Sequence, residues 1–567
     1  MTGKVNIEGQ VRAAKKDARV PDDVDKPRQY SLYNIWMVTV ALKLLLIYGY
    51  HSTDFDVHRN WLAITKKLPM KLWYIEDTNQ WTLDYPPYFA YFEWFLSIFV
   101  PDFVDSDGCF DIIESGKYGW PTIYYQRLTV VVSEIILFVA LQSYINSTQN
   151  SIIDKKRAYV IASSLVLSPG LLIIDHIHFQ YNGMMYGILI LAINSARLNN
   201  FNQCGLWFAI LLCFKHIYLY FAPAVFVYLL RGYCLNLNFN PRKLMIINIL
   251  NIIKWKNLFQ LSSIVIIVFT IAFAPFAYYG VLPQLFARLF PFSRGLTHAY
   301  WAPNIWAIYS FLDRLLIQIY KKVPFSKMAL QKICKFDPEV LNIEDLVNTS
   351  TRGLVGEIQF LILPNITPKL TFLLTLFYQI MALIPLFIQP NFKRFMGSLT
   401  LCGFASFLFG WHVHEKAILL VIFPMTFLIT LDKKFLGPFN LLVSSGYVSL
   451  FPLIFTCDEW IIKVVYTLLW YIIFYFNFRK VVAIPKKNSV GQLGDIILDR
   501  VINGYILGFI PVISIVTLMD LFQYKFEIIQ RMQFMKLMII SVYCAIGIIS
   551  SWNGFSWVYF VNDSIWA

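Results

Sequence analysis

Charge is what this chain has least of. Only 14% of its 567 residues are Asp, Glu, Lys or Arg, against 57% hydrophobic, which leaves too little polar surface to cover a soluble core. The eight cysteines form no CxxC pair and no zinc spacing, and Cys204, Cys213, Cys402 and Cys544 lie in or beside apolar runs as small hydrophobes. No redox or metal framework is expected from them. Tandem repeats, low-complexity tracts and coiled-coil heptads are also missing, as is the alternation of roughly ten-residue strands that marks a membrane barrel. The polar stretch of about thirty residues before the first apolar run does not read as a cleaved signal peptide.

What is abundant is lipid-compatible sequence. Apolar stretches able to cross about 30 Å of hydrocarbon occur near 33–50, 123–145, 158–174, 183–198, 204–217, 218–231, 258–280, 366–389, 396–411, 416–431, 436–456, 459–477, 502–522 and 536–552. Backbone in lipid must satisfy its own hydrogen bonds, so these predict an all-α polytopic membrane protein with about fourteen transmembrane helices. The whole chain, 1–567, reads as one integral-membrane domain with a polar cytosolic tail over 1–30. A net charge of +14 does not imply nucleic acid. The basic residues fall in short patches between apolar runs, at 155–157, 231–256, 393–394, 433–434 and 479–487, where they mark cytosolic loops. This orientation requires 303–320, with Asp313 and Arg314, to lie along the interface as an amphipathic helix rather than cross.

The opposite, lumenal or extracellular, face then receives two large loops, 51–122 and 281–365, and two short polar ones. Loop 51–122 holds eleven Asp or Glu against five Lys or Arg. Its segment 88–100 is too short to span and predicts an interfacial helix. HSTDFDVHRNW (51–61) brings Asp54, Asp56 and Arg59, and WTLDYPPY (81–88) presents Asp84 on a turn fixed by paired prolines. DHIHFQYN (175–182) carries Asp175, His176 and His178; ARLFPFSRGLTHAYWAPN (287–304) carries Arg288, Arg294, His298 and Trp301; WHVHEK (411–416) carries His412, His414, Glu415 and Lys416. Each cluster alone has an ordinary reading, as a helix exit, a polar turn, snorkelling arginines or a structural ion pair. Together, on one face, carboxylates opposite Arg, His and Lys make a site able to accept a proton from one reactant and hold an anionic group of another.

These five segments, in this order, resemble the hallmark segments of the eukaryotic dolichyl-phosphate-glucose-dependent α-1,3-glucosyltransferases of the endoplasmic reticulum. Within that family HIHFQYN and HAYWAPN are most similar to the members that add the second glucose of the lipid-linked oligosaccharide; the alternative is addition of the first glucose to Man9GlcNAc2 diphosphodolichol. The resemblance implies a GT-C fold and inverting transfer of glucose from dolichyl phosphate glucose to Glc1Man9GlcNAc2 diphosphodolichol, at the lumenal face of the endoplasmic reticulum membrane. It implies Asp54 as general base, and His414 as a phosphate contact. With it we expect Asp56 and Arg59 to position the base and Asp84 to orient the acceptor, while Lys416 and Arg294 join His414 on the donor phosphate. Asp175, His176, His178, His298 and Trp301 are expected to line the site. A lipid monophosphate can be neutralised by side-chain cations, so neither metal nor cofactor is expected. A transporter or flippase, or a noncatalytic scaffold, are the rival classes. Transporters bind near the midplane between repeated halves, which this sequence does not show, although Arg127 and Glu134 lie inside the second span, either as a buried pair or as lining for the donor phosphate path.

Overall fold

The computed structural model describes residues 30–113, 117–148, 151–236, 252–290, 295–297, 301–322, 360–454, 459–482, 492–522, 525–531 and 534–566. Arg294 and His298 lie outside them. The described chain is helical throughout, with isolated bridges in place of strands. Each of the fourteen apolar stretches falls on a helix. Nine helices among the described residues are long and apolar enough to cross a membrane, and a tenth, Tyr33–Tyr48, runs into Thr53–Lys67 through a 94° bend. The expected count of fourteen crossings is therefore not confirmed. Part of the difference is length: Asn182–Arg197 and Phe201–Phe214 have 16 and 14 residues, about 24 and 21 Å at 1.5 Å per residue, and sit packed among longer neighbours.

The two segments expected along the interface are both helices. Pro87–Ile98 has twelve residues, starts on the paired prolines, and packs across Thr53–Lys67 and Phe201–Phe214. Ile305–Lys322 is not among the apolar spans; Asp313 is buried and accepts the backbone N–H groups of Leu361, Ile362 and Leu363 at 3.3, 3.0 and 2.8 Å. Arg314 lies over the Trp301 ring at 4.9 Å.

The helix Ile152–Phe179, 28 residues long, orders the rest. Arg157 near its start donates Nε to the Val481 carbonyl at 2.9 Å, beside the end that carries Arg479 and Lys480. A cavity of about 80 Å³ is lined there by Lys433, Arg479 and Asp499. His178 is 21 residues further on, about 30 Å along the axis, one hydrocarbon thickness away. The basic end of this helix and the histidine motif are thus about one hydrocarbon thickness apart, the separation that the charge pattern predicts.

The last turns of this helix, Leu172–Phe179, open into a π-helix, and two ionic groups grip it from the bundle interior. Arg127 and Glu134 do not pair. Arg127 donates to the carbonyls of His176, Ile177, Gly49 and Tyr50, tying the π-helix to the end of the first span. Glu134 instead pairs with Lys43 through one oxygen and with His176 Nε2 through the other, at 3.2 Å, all three side chains being 3–4% exposed. Close approach makes this possible: a Cβ on Gly183 would stand 2.5 Å from the Glu134 Cγ, and one on Gly187 would stand 2.6 Å from the Leu137 backbone nitrogen. Small residues four apart let membrane helices meet backbone to backbone.

Candidate active site

Where the first span ends the chain turns sharply, and Ser52 caps the next helix. Its Oγ accepts the Asp54 N–H at 3.1 Å and donates to the His178 carbonyl at 2.6 Å, while its own N–H donates to that same carbonyl at 3.2 Å. One serine therefore starts the helix, as an N-cap should, and fastens it to the π-helix. Asp54 and Asp56 both fall in the first turn, where the helix dipole favours negative charge. They are two positions apart and so do not face each other. Asp56 accepts the Tyr118 hydroxyl at 2.7 Å, whereas Asp54 turns towards the histidine motifs.

The Asp54 carboxylate is held on one side only. Its Oδ2 receives Lys416 Nζ at 2.6 Å and Gln180 Nε2 at 2.6 Å, with His178 Nε2 at 3.3 Å. Its Oδ1 accepts no hydrogen bond among the described residues, and the side chain keeps 23% of its surface exposed. Burial by itself would lift its pKa, but the Lys416 ammonium and the His178 ring hold the carboxyl well below the usual range. One oxygen is anchored and the other faces open space, the arrangement a fixed proton acceptor needs.

Strained backbone delivers these partners. Among the described residues, four non-glycine positions have positive φ, and three fall in the motifs: Phe179 at 89°, Trp301 at 44° and His412 at 51°. Such conformations cost about 1–3 kcal/mol each and persist where the surroundings enforce them. At Phe179 the turn ends the π-helix and throws Gln180 into an extended conformation that reaches Asp54. At His412 the backbone N–H donates to the Leu296 carbonyl at 2.9 Å, Nδ1 contacts the Gly295 carbonyl at 2.8 Å, and Thr297 and Val413 form a parallel bridge. Asn304 and Trp306 then donate to the carbonyls of Phe407 and Gly410 at 3.2 and 3.0 Å. The second half of HAYWAPN thus braces the helix end from which WHVHEK emerges.

The structure sorts the expected site residues. Asp54, His178 and Lys416 meet directly. His414 is half-buried at the N-cap of Glu415–Ile418, its ring 5.5 Å from that of His412. Asp84 is half-buried and shares the electrostatic field of Lys215 and Arg288. Arg59, 1% exposed, is not brought to Asp54: it donates to the Asp111, Cys109 and Gly108 carbonyls at 2.6, 3.3 and 3.5 Å, stapling the loop. Asp175 and His176 face the interior; Asp175 accepts Asn182 Nδ2 at 2.9 Å and the Gly183 N–H at 2.6 Å. Trp301 lies beneath Arg314. Sequence reasoning missed Ser52, missed Gln180 as a contact of Asp54, and gave Lys215 no part in the site.

The sequence profile of the ALG6, ALG8 glycosyltransferase family matches residues 39–555. Similar proteins include three named "Dolichyl pyrophosphate Glc1Man9GlcNAc2 alpha-1,3-glucosyltransferase". One from Debaryomyces hansenii is 70% identical over 96% of this chain and 96% of its own length. One from Candida albicans is 69% identical over 95% and 92%, and one from Saccharomyces cerevisiae 52% identical over 95% and 93%.

Proposed function

We infer that this chain, which belongs to the ALG6, ALG8 glycosyltransferase family, is the glucosyltransferase that adds an α-1,3-linked glucose to Glc1Man9GlcNAc2 diphosphodolichol. The acceptor follows from the shared name of its relatives at 48–70% identity over nearly the full chain. Dolichyl phosphate glucose is the donor, the enzyme resides in the endoplasmic reticulum membrane, and the polar face with Asp54 is lumenal. A flippase reading loses its footing, because the membrane-embedded charges Lys43, Glu134 and His176 are sealed against one another.

The observation that carries the mechanism is the one-sided grip on Asp54. Oδ1 takes the proton from the acceptor hydroxyl as that oxygen attacks the anomeric carbon of the donor glucose. The bond from that carbon to the phosphate oxygen breaks on the opposite side, which inverts the anomeric configuration and releases the lipid monophosphate. A phosphate is already a weak base, so its departure needs positive charge more than a proton. Lys416 and His414 supply that charge, and Arg294, outside the described residues, is the third cation assigned to the phosphate; Asp84 orients the acceptor sugar. Asp56 and Arg59 act at one remove, by fixing the loop through Tyr118 and the 108–111 carbonyls.

No metal is required in this scheme. Asp54 and Asp56 point to different partners, so the D-F-D pair does not present two carboxylates to one ion. The test is purified protein with dolichyl phosphate glucose, offered Man9GlcNAc2 and Glc1Man9GlcNAc2 lipid acceptors in parallel, with and without EDTA. We expect transfer to the monoglucosylated acceptor alone, unchanged by the chelator. Transfer to Man9GlcNAc2 instead would make it the first-glucose enzyme, and EDTA loss restored by Mg²⁺ or Mn²⁺ would overturn the metal-free scheme.

A further inference from the structure

Gln180 poses a problem of orientation. Its amide has a donor end and an acceptor end of nearly equal size, and only the donor end is of use to the Asp54 carboxylate. Rotating the amide by half a turn would set its carbonyl against that carboxylate. Something must hold it the right way round.

Lys215 sits where it can. It stands between Phe201–Phe214 and His216–Phe221, at the turn on the same membrane face. Its Nζ donates to Asn182 Oδ1 at 3.1 Å and to Gln180 Oε1 at 3.4 Å. Asn182 Nδ2 donates to that same Gln180 oxygen at 2.8 Å, and also to Asp175 Oδ1. An ammonium has three donors and no acceptor, so both amides must turn their oxygens towards it. The NH2 of Gln180 is then left pointing at Asp54, 2.6 Å away. The same ammonium lies 4.9 Å from the centre of the Tyr85 ring, a cation–π distance, which locks the WTLDYPPY motif to DHIHFQYN.

We propose that Lys215 is a positioning residue for the transfer reaction: acting through Asn182 and Gln180, it fixes the amide that holds the general base in place, and it does not itself bind the donor phosphate. The inference rests on Asp54 being the base. The groups that face Lys215 are Asp54, Asp84, Asp175, Lys416 and Tyr85. Burial, and then the Lys416 ammonium, pull its pKa down to about 8 against the opposing pull of the three aspartates. Its charge is therefore lost just above neutral pH, and the clamp loosens with it.

The experiment is a double-mutant cycle on the purified full-length protein, with Lys215→Met, Gln180→Leu and the pair, reading kcat, the donor KM and the pH profile; Asp54→Asn is assayed alongside. We expect Lys215→Met to lower kcat about tenfold, the size of one hydrogen bond to a charged group, with the donor KM unchanged within twofold. In the Gln180→Leu background the lysine change should add less than twofold, and the alkaline fall in rate near pH 8 should vanish in both single variants. Should Lys215→Met not accumulate as folded protein, Lys215→Gln enters the same cycle with the same expectations. A raised donor KM with kcat kept would make Lys215 a phosphate ligand, and additive losses would show that it does not act through Gln180; either result overturns the proposal. Full turnover by Asp54→Asn would instead remove the general base, and with it the functional reading beneath.

Discussion

Two neighbouring sites each join a carboxylate, a lysine and a histidine, and do opposite things with them. Asp54 meets Lys416 and His178; Glu134 meets Lys43 and His176. The two histidines are two residues apart on one π-helix, one aimed at each carboxylate. At Glu134 both oxygens are shut in, one bonded to Lys43 and the other 3.2 Å from His176 Nε2, and every side chain is 3–4% exposed. At Asp54 one oxygen carries all three partners, the other accepts no hydrogen bond among the described residues, and 23% of the side chain stays open. A carboxylate closed on both sides can only hold helices together. One closed on a single side can meet a substrate.

The sharpest way to break this comparison is to neutralise each carboxylate. Asp54→Asn should cost about 10²–10⁴ in turnover, the contribution of a positioned general base, with the melting temperature of the purified protein little changed. Glu134→Gln should do the reverse. Removing one partner of a buried ion pair typically destabilises by about 3–5 kcal/mol, so folded yield and melting temperature should fall while the rate per folded molecule survives. Equal rate losses in the two variants, normalised to folded protein, would erase the distinction.

Lys416→Met should lower turnover by roughly a hundredfold, as loss of one charge-stabilising contact does, and it should also move the pH profile. With Lys416 present the Asp54 carboxyl is held well below its usual pKa, so the base stays ionised down to strongly acidic pH and the acid limb lies low. Removing the cation leaves burial to push the pKa up, and the acid limb of kcat/KM should shift towards neutrality. A shift the other way, or none, would mean that Lys416 does not set the ionisation of the base.

A smaller effect separates the cap from the chemistry. Ser52→Ala removes the Asp54 N–H acceptor and the tie to the His178 carbonyl. It should lower stability by about 1 kcal/mol and turnover only a fewfold, as read by thermal melts and rate on one preparation. A loss as large as that of Asp54→Asn would place Ser52 in the chemistry itself.

The helices were legible because apolar runs in a charge-poor chain have few other fates. So was the convergence of HSTDFDVHRNW, DHIHFQYN and WHVHEK on one face, since charge at a membrane surface needs partners. The π-helix was not. Periodicity in 172–179 does not distinguish a π turn from an α turn, because residues two apart, such as His176 and His178, point to opposite sides of either. Arg127 and Glu134, two charges inside one span, suggested a buried pair, yet each finds its partners on distant segments. Lys215 was passed over because the role proposed for it, orienting two amides, leaves no mark in composition.

The central claim is that the open oxygen of Asp54, and not the anchored one, meets the acceptor. A structure of Asp54→Asn with donor and acceptor lipids both bound tests it most directly. The account predicts the acceptor hydroxyl within about 3 Å of the atom at the Oδ1 position, with the donor phosphate beside Lys416 and His414. An acceptor hydroxyl nearer another carboxylate, or a donor phosphate at the opposite membrane face beside Lys433 and Arg479, would contradict it.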